Sequence, residues 1–216
     1  MSKLGNKSKI LNRPMANIFI ISAPSGAGKS SLIDALTEKD NRLRKSVSVT
    51  TRQPRGGEKH GQHYVFTDEA DFEKRLRDGE FLEHAQVHGN WYGTSRILVE
   101  NELTDDNDLV LEIDYQGAQI VRRLYTDSIS IFILPPSKAL LRSRLEKRNT
   151  DTPTAIEQRL KAAGTEIGHI FEYQYVTIND NFGDALADLE AIVRSTRITA
   201  QRCKGSHIVK DFTKDD

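Results

Sequence analysis

The apolar positions of this chain alternate between two periods. Ile18-Phe19-Ile20-Ile21, Leu109-Val110-Leu111 and Ile129 to Leu134 are nearly unbroken apolar runs. Runs of that length read as strands buried on both faces of a parallel sheet. Between them the pattern turns helical. Ser31 to Lys39, Gln116 to Leu124 and Asp184 to Arg202 each carry an apolar stripe. Pro135-Pro136 stops the third run, and Ser137 is placed to cap a helix bearing Leu140, Leu141 and Leu145 on one face. Thr152-Pro153 is a cap followed by a first-turn proline, opening a helix to about His169. Tyr175 to Ile178 is a last short strand. Strands alternating with helices predict an α/β fold, a doubly wound parallel sheet flanked by helices.

The rhythm breaks over residues 47–94. Ser46 to Val49 alternates like a strand, and residues 50–58 are polar and rich in turn formers. Tyr64-Val65-Phe66 is a short strand. Thr67-Asp68 caps a helix to about Arg77, with Phe72 and Leu76 on its inner face. Phe81 to Val87 reads as a strand and Gly89-Asn90 as a turn, and Trp91 to Thr94 leads into a helix ending near Leu103. This block is expected to be a small mixed-β lobe inserted into a core made of 17–46, 95–136 and 170–198. Residues 137–169 read as helix, break at Asn149-Thr150-Asp151, and helix, which suits a hinged lid. Residues 1–16 are basic, with Lys3, Lys7, Lys9 and Arg13 and no acid. They read as a structureless leader, with Met15 as an alternative start of translation. Residues 199–216 read as a helix end and a polar tail.

The first apolar run leads into Ser22-Ala23-Pro24-Ser25-Gly26-Ala27-Gly28-Lys29-Ser30-Ser31. Strand, glycine loop, helix is the layout of a phosphate cradle, here with Ala23 where the first glycine of G-x-x-x-x-G-K-[ST] would stand. Glycines let backbone N–H groups turn inward around an anion, and the helix N-terminus adds about half a positive charge. Lys29 reaches the outer phosphates and Ser30 offers its hydroxyl to Mg²⁺. The bland alternative is an ordinary strand-to-helix turn. Charge and composition narrow the partners. Lysine plus arginine equals aspartate plus glutamate at 31 each, so bulk attraction to nucleic acid or an anionic membrane is not expected. No apolar run approaches the roughly 20 residues of a membrane helix. A single cysteine, Cys203, forms no internal disulfide and fits a reducing, cytoplasmic setting. The histidines show no metal-ligand spacing.

Several further stretches sharpen the reading: Ser48-Val49-Thr50-Thr51-Arg52-Gln53-Pro54-Arg55 with Glu58, Gly61 and Tyr64; Phe81-Leu82-Glu83; Gly89-Asn90-Trp91-Tyr92-Gly93-Thr94; Leu111-Glu112-Ile113-Asp114-Tyr115-Gln116-Gly117; and Arg144-Leu145-Glu146-Lys147-Arg148. With the cradle, these resemble guanylate kinases of bacterial type over residues 17–198. Trp91 stands where that family commonly has tyrosine, and Glu112 where it usually has aspartate. The resemblance implies a P-loop NTPase-like sheet with an inserted GMP-binding lobe and a helical lid. It also implies Mg²⁺-dependent phosphoryl transfer from ATP to GMP, with dGMP as a further substrate. Whether the chain associates with itself is left open.

By the same resemblance, residues 23–31 (Ala23, Pro24, Ser25, Gly26, Ala27, Gly28, Lys29, Ser30 and Ser31) bind ATP. Arg52, Arg55, Tyr64 and Tyr92 hold the GMP phosphate. Ser48, Glu83 and Thr94 read guanine, whose adjacent N1–H and 2-amino donors suit one carboxylate. Glu112 and Asp114 are expected at a strand end, one of them near guanine or an arginine, Asp114 alternatively near Mg²⁺ through water. Lys29, Arg144, Arg148 and Arg159 are the expected catalytic cations, the arginines folding with the lid over the ATP phosphates. A GMP phosphate oxygen is already anionic, so the chemistry asks for no dedicated general base. A guanylate-kinase-like binding module of a scaffold protein typically loses the cradle's lysine and glycines, which this chain keeps. Another P-loop enzyme would not need the Arg52–Tyr64 and Glu83 motifs.

Overall fold

In this computed structural model, residues 16–87, 89–103, 107–147, 152–200 and 211–212 are described. The leader to residue 15, Arg148, the 149–151 break and most of the tail lie outside them. The first apolar run forms β1 (Ile18–Ser22), and the cradle feeds α1 (Lys29–Lys39). With β2 (Leu43–Lys45), β7 (Asp108–Glu112), β8 (Ile129–Leu134) and β9 (Tyr175–Ile178), β1 builds a five-stranded sheet in the order β2-β7-β1-β8-β9. Every pairing in it is parallel.

Period-two alternation along β1 divides the core. Phe19 and Ile21 pack with Leu32, Ile33 and Leu36 of α1 and with Leu186, Leu189 and Val193 of α7 (Phe182–Arg197). Ile18 and Ile20 face the other way, onto Ala118 and Val121 of α4 (Tyr115–Leu124) and onto Tyr173. Both layers are almost fully buried, so the central strand is covered on each side, as its unbroken apolar run requires.

Residues 48–95 form a second, mixed sheet. Its strands β3 (Ser48–Thr50), β4 (Tyr64–Phe66), β5 (Phe81–Val87) and β6 (Asn90–Ser95) lie in the order β4-β3-β6-β5. Helix α2 (Glu69–Arg77) seats Phe72 on this sheet, stacked on Phe81 with centroids 4.5 Å apart. Trp91 to Thr94 lead into a helix ending near Leu103, as expected, and do so as strand β6. These residues pair with β3 and β5 before α3 (Arg96–Glu102) begins. Their side chains carry little apolar alternation, and two flanking strands hold them extended. Likewise β2 is a three-residue edge strand with only Leu43 buried, too short to show a period.

Local signals locate the starts of the two expected lid helices. Ser137 accepts from Leu140 N before α5 (Lys138–Lys147), and Thr152 from Ala155 N before α6 (Pro153–Gly168). Leu141 and Leu145 of α5 interlock with Ile156, Leu160 and Ala163 of α6, making the helical pair a packed unit. Helix α7 starts at Phe182, two residues before the expected Asp184, because Asn181 caps it through Gly183 N and Asp184 N. It ends at Arg197 rather than Arg202.

Candidate active site

The cradle leaves the carboxyl end of β1, the central strand. Gly26 and Gly28 sit at φ 94° and 90°, which only glycine adopts readily. A Cβ on Gly28 would also meet Asn179 Nδ2 at 2.4 Å. That amide donates to Ala27 O at 2.7 Å. The Arg144 guanidinium donates to Asn179 O at 2.9 Å and to Ala27 O at 3.4 Å. The loop is thus tied to α5 and to the end of β9 through its backbone.

One cavity joins the two sheets. Ala23, Pro24, Ser25, Gly26, Gly28, Lys29, Ser30 and Ser31 line it from the cradle. Ser48, Arg55, Tyr64, Glu83 and Tyr92 line it from the second sheet and the loop after β3. Glu112 and Asp114 line it from the end of β7, and Arg159 from α6. Most of the residues singled out from sequence therefore converge.

The others stand back from the cavity wall. Ala27 is buried behind the loop, and Arg144 faces the loop's carbonyls. Thr94, fully buried, donates its hydroxyl to Glu83 Oε1 at 2.5 Å. Arg52 is gripped by Glu58 at 2.9 and 3.0 Å, and its guanidinium lies over the Tyr64 ring, 5.3 Å from the centroid. Glu58 also accepts from Arg55 N at 2.7 Å, so one carboxylate sets the geometry of both arginines' loop. Arg148 is not among the described residues.

The comparisons with known proteins agree with one another. The guanylate kinase family profile matches residues 15–196. The chain belongs to the guanylate kinase family. It is 55% identical over 186 residues to a guanylate kinase of Methylobacillus flagellatus, covering 86% of this chain and 92% of that one. It is 54% identical over 185 residues to a guanylate kinase of Thiobacillus denitrificans, covering 86% and 88%. The crystal structure of guanylate kinase from Anaplasma phagocytophilum superimposes with a TM-score of 0.78 at 32% identity, covering 94% of this chain and 99% of that chain. The fold is therefore the guanylate kinase arrangement of a helix-flanked parallel sheet with a second, mixed sheet.

Charge in this guanylate kinase cavity is arranged by burial and by neighbours. Burial would raise Glu112, but Lys29 and Lys45 beside it and hydrogen bonds from Lys45 and Ser30 hold it below the ordinary carboxylate range. Lys45 Nζ sits 2.8 Å from Glu112 Oε2 and 3.0 Å from Asp34. Glu83 behaves oppositely. Burial pushes its carboxyl up to about 7, the Thr94 hydrogen bond opposing and the nearby charge of Asp114 adding to the rise. Asp114 caps α4, accepting from Gly117 N at 2.9 Å.

Two cavity or near-cavity groups were missed from sequence. Lys45 carries no pattern that would have found it. Glu166, on the last turn of α6, lines the cavity and is also pushed up to about 7 by burial, with Lys29 opposing and Asp114 adding. An acid at the negative end of a helix opposes the helix dipole, and that was the available signal.

Proposed function

We propose that this chain transfers a phosphoryl group from ATP to GMP, giving ADP and GDP, and that it also accepts dGMP. The observation that carries the reading is a single cavity holding both the cradle's Lys29 and the buried carboxyl of Glu83. Both substrates are anions, and the transition state spreads charge over the transferring oxygens. Catalysis is then positioning plus charge stabilisation.

On this reading the cradle's N–H groups and Lys29 take the ATP phosphates. Arg159 reaches them from α6, while Arg144 braces the cradle through Ala27 O and Asn179 O. Arg55, Tyr64 and Tyr92 hold the acceptor phosphate, with Tyr64 and Tyr92 edge to face at 6.1 Å. Burial, with Glu112 and Tyr92 adding, pushes the Tyr64 hydroxyl up to about 12, so it stays a neutral donor. Arg52, paired with Glu58 and lying over the Tyr64 ring, joins them at the acceptor phosphate. Glu83 accepts the guanine N1–H and 2-amino hydrogens, and Ser48 and Asp114 line the same end.

The residues present fit Mg²⁺. Ser30 Oγ donates to Glu112 Oε1 at 2.5 Å, placing two oxygen donors together beside the cradle. Mg²⁺ keeps several waters and uses one or two protein oxygens with substrate phosphates. Ser30 and, through water, Glu112 would hold the ion, which supplies charge neutralisation at the outer phosphates. The longer Glu112, in place of aspartate, is steadied for this by Lys45. No described helix is long and apolar enough to cross a membrane. The lone cysteine supports a cytoplasmic setting.

A coupled ADP-release assay with GMP, dGMP, AMP, CMP and UMP tests the reading. Turnover with the guanine nucleotides alone is the expected result. Equal turnover with AMP, or ADP release independent of any acceptor, would overturn it.

Binding should also depend on pH in a defined direction. Glu83 holds its proton up to about 7 in the free protein, but only the carboxylate accepts both guanine donors. GMP affinity should therefore rise as pH climbs to about 7, by up to tenfold per unit, and level off above. Calorimetric titration at several pH values measures this. The GMP phosphate's own ionisation is common to wild type and Glu83→Gln, so the difference between them isolates the carboxyl. Parallel profiles would show that Glu83 does not meet the base.

A further inference from the structure

The first turn of α4 contains a glycine that the helix itself does not want. Glycine inside a helix is less stable than alanine, and no positive φ calls for it at Gly117. The reason lies across the interface with β5. A Cβ built on Gly117 would fall 2.4 Å from Glu83 Oε2, 2.9 Å from its Cδ and 3.4 Å from its Cγ. A flexible side chain would simply move, but this one has little room. Glu83 is 5% exposed, and its other carboxyl oxygen is held at 2.5 Å by the Thr94 hydroxyl. The backbone N–H of Gly117 meanwhile donates to Asp114 Oδ1.

We propose that Gly117 is a positioning residue for base recognition: its missing Cβ is the slot that seats the Glu83 carboxyl against the first turn of α4. That one turn then fixes two acids of the base end, Asp114 by capping and Glu83 by close approach. The slot sets how far the carboxyl stands from a 2-amino-6-oxopurine edge, and so governs selectivity among nucleoside monophosphates. The inference rests on the reading that Glu83 meets guanine.

The test is a double-mutant cycle on the full chain, scored by kcat/KM for GMP and AMP and by calorimetry of MgADP binding. Gly117→Ala displaces the carboxyl, and a misplacement near 1 Å costs about 10²-fold, so GMP kcat/KM should fall by that order while MgADP affinity stays unchanged. The GMP/AMP ratio should fall with it. Glu83→Asp shortens the acid by one methylene and vacates the slot, so adding Gly117→Ala in that background should cost far less. A merely structural role for Gly117 would give the same loss in both backgrounds. Equal losses, or a Gly117→Ala protein with wild-type GMP kcat/KM and selectivity, overturn the proposal. Gly117→Ala that folds only alongside Glu83→Asp supports the clash, whereas failure to fold in both backgrounds counts against it. Glu83→Gln separates the two layers. If that variant keeps the GMP/AMP ratio, the base-reading role itself fails. If it loses the ratio while Gly117→Ala keeps it, only the slot is wrong.

Discussion

Lys29→Ala is expected to lower kcat by roughly 10²–10³-fold, the loss typical of removing one preorganised charge-stabilising group. The thermal melt and the GMP isotherm should stay close to wild type. Lys29 opens α1 immediately after Gly28, and its ammonium lies in the cavity, 3.4 Å from Ile113 O and near enough to Glu112 to favour that carboxylate's charge. It is therefore placed to meet anionic ligands. Its removal leaves Glu112 paired with Lys45, so no buried carboxylate is stranded. The charge that Lys29 would meet grows as the phosphoryl group leaves ATP, so the loss should appear in kcat. Retention of more than about a tenth of wild-type kcat means under about 1.4 kcal/mol of barrier lowering, and would remove Lys29 from the transfer step.

Glu83→Gln should collapse the preference for GMP over AMP. With GMP, both carboxylate oxygens find donors. With AMP, N1 is an acceptor and the 2-amino group is missing, so the buried carboxylate faces a lone pair. An unpaired buried polar group costs roughly 1–3 kcal/mol, more when charged. Sites built around a substrate hydrogen bond reject analogues lacking it by about 10⁴–10⁵. Glutamine keeps the shape but turns one acceptor oxygen into a donor amide. The Thr94 hydroxyl at 2.5 Å favours keeping an oxygen on its side, which points the amide nitrogen toward the base end. GMP kcat/KM should fall steeply and the gap to AMP should narrow, without producing an efficient AMP kinase. An unchanged ratio would move selectivity to Ser48, Asp114 or Glu166, which share the cavity.

Much of this site was legible because its signals are local. A strand, two glycines, a lysine and a helix start lie within one stretch, and backbone sterics alone make that stretch an anion cradle. The caps at Asp68, Ser137 and Thr152 are readable for the same reason, since each side chain bonds an N–H three residues on. The unbroken apolar runs at Ile18 and Ile129 marked strands covered on both faces, and both core layers bear that out.

Other features belong to the tertiary structure alone. Strand β6 has no periodicity of its own and is extended because β3 and β5 flank it. Arg52 pairs with Glu58 and lies over the Tyr64 ring only once the loop between β3 and β4 is folded. Lys45 reaches Glu112 only because β2 lies beside β7 in the sheet. Glu166 meets the cavity only because the last turn of α6 comes to the wall it shares with Lys29 and Asp114. Gly117 reads as an unfavourable helix residue until β5 brings Glu83 against it. Sequence by itself determined the elements and the chemistry they carry, because caps, periods and the cradle act within a few residues. The tertiary structure decided which charged groups pair with one another and which are left facing substrate, because burial and distance between remote segments exist only once the sheets are assembled.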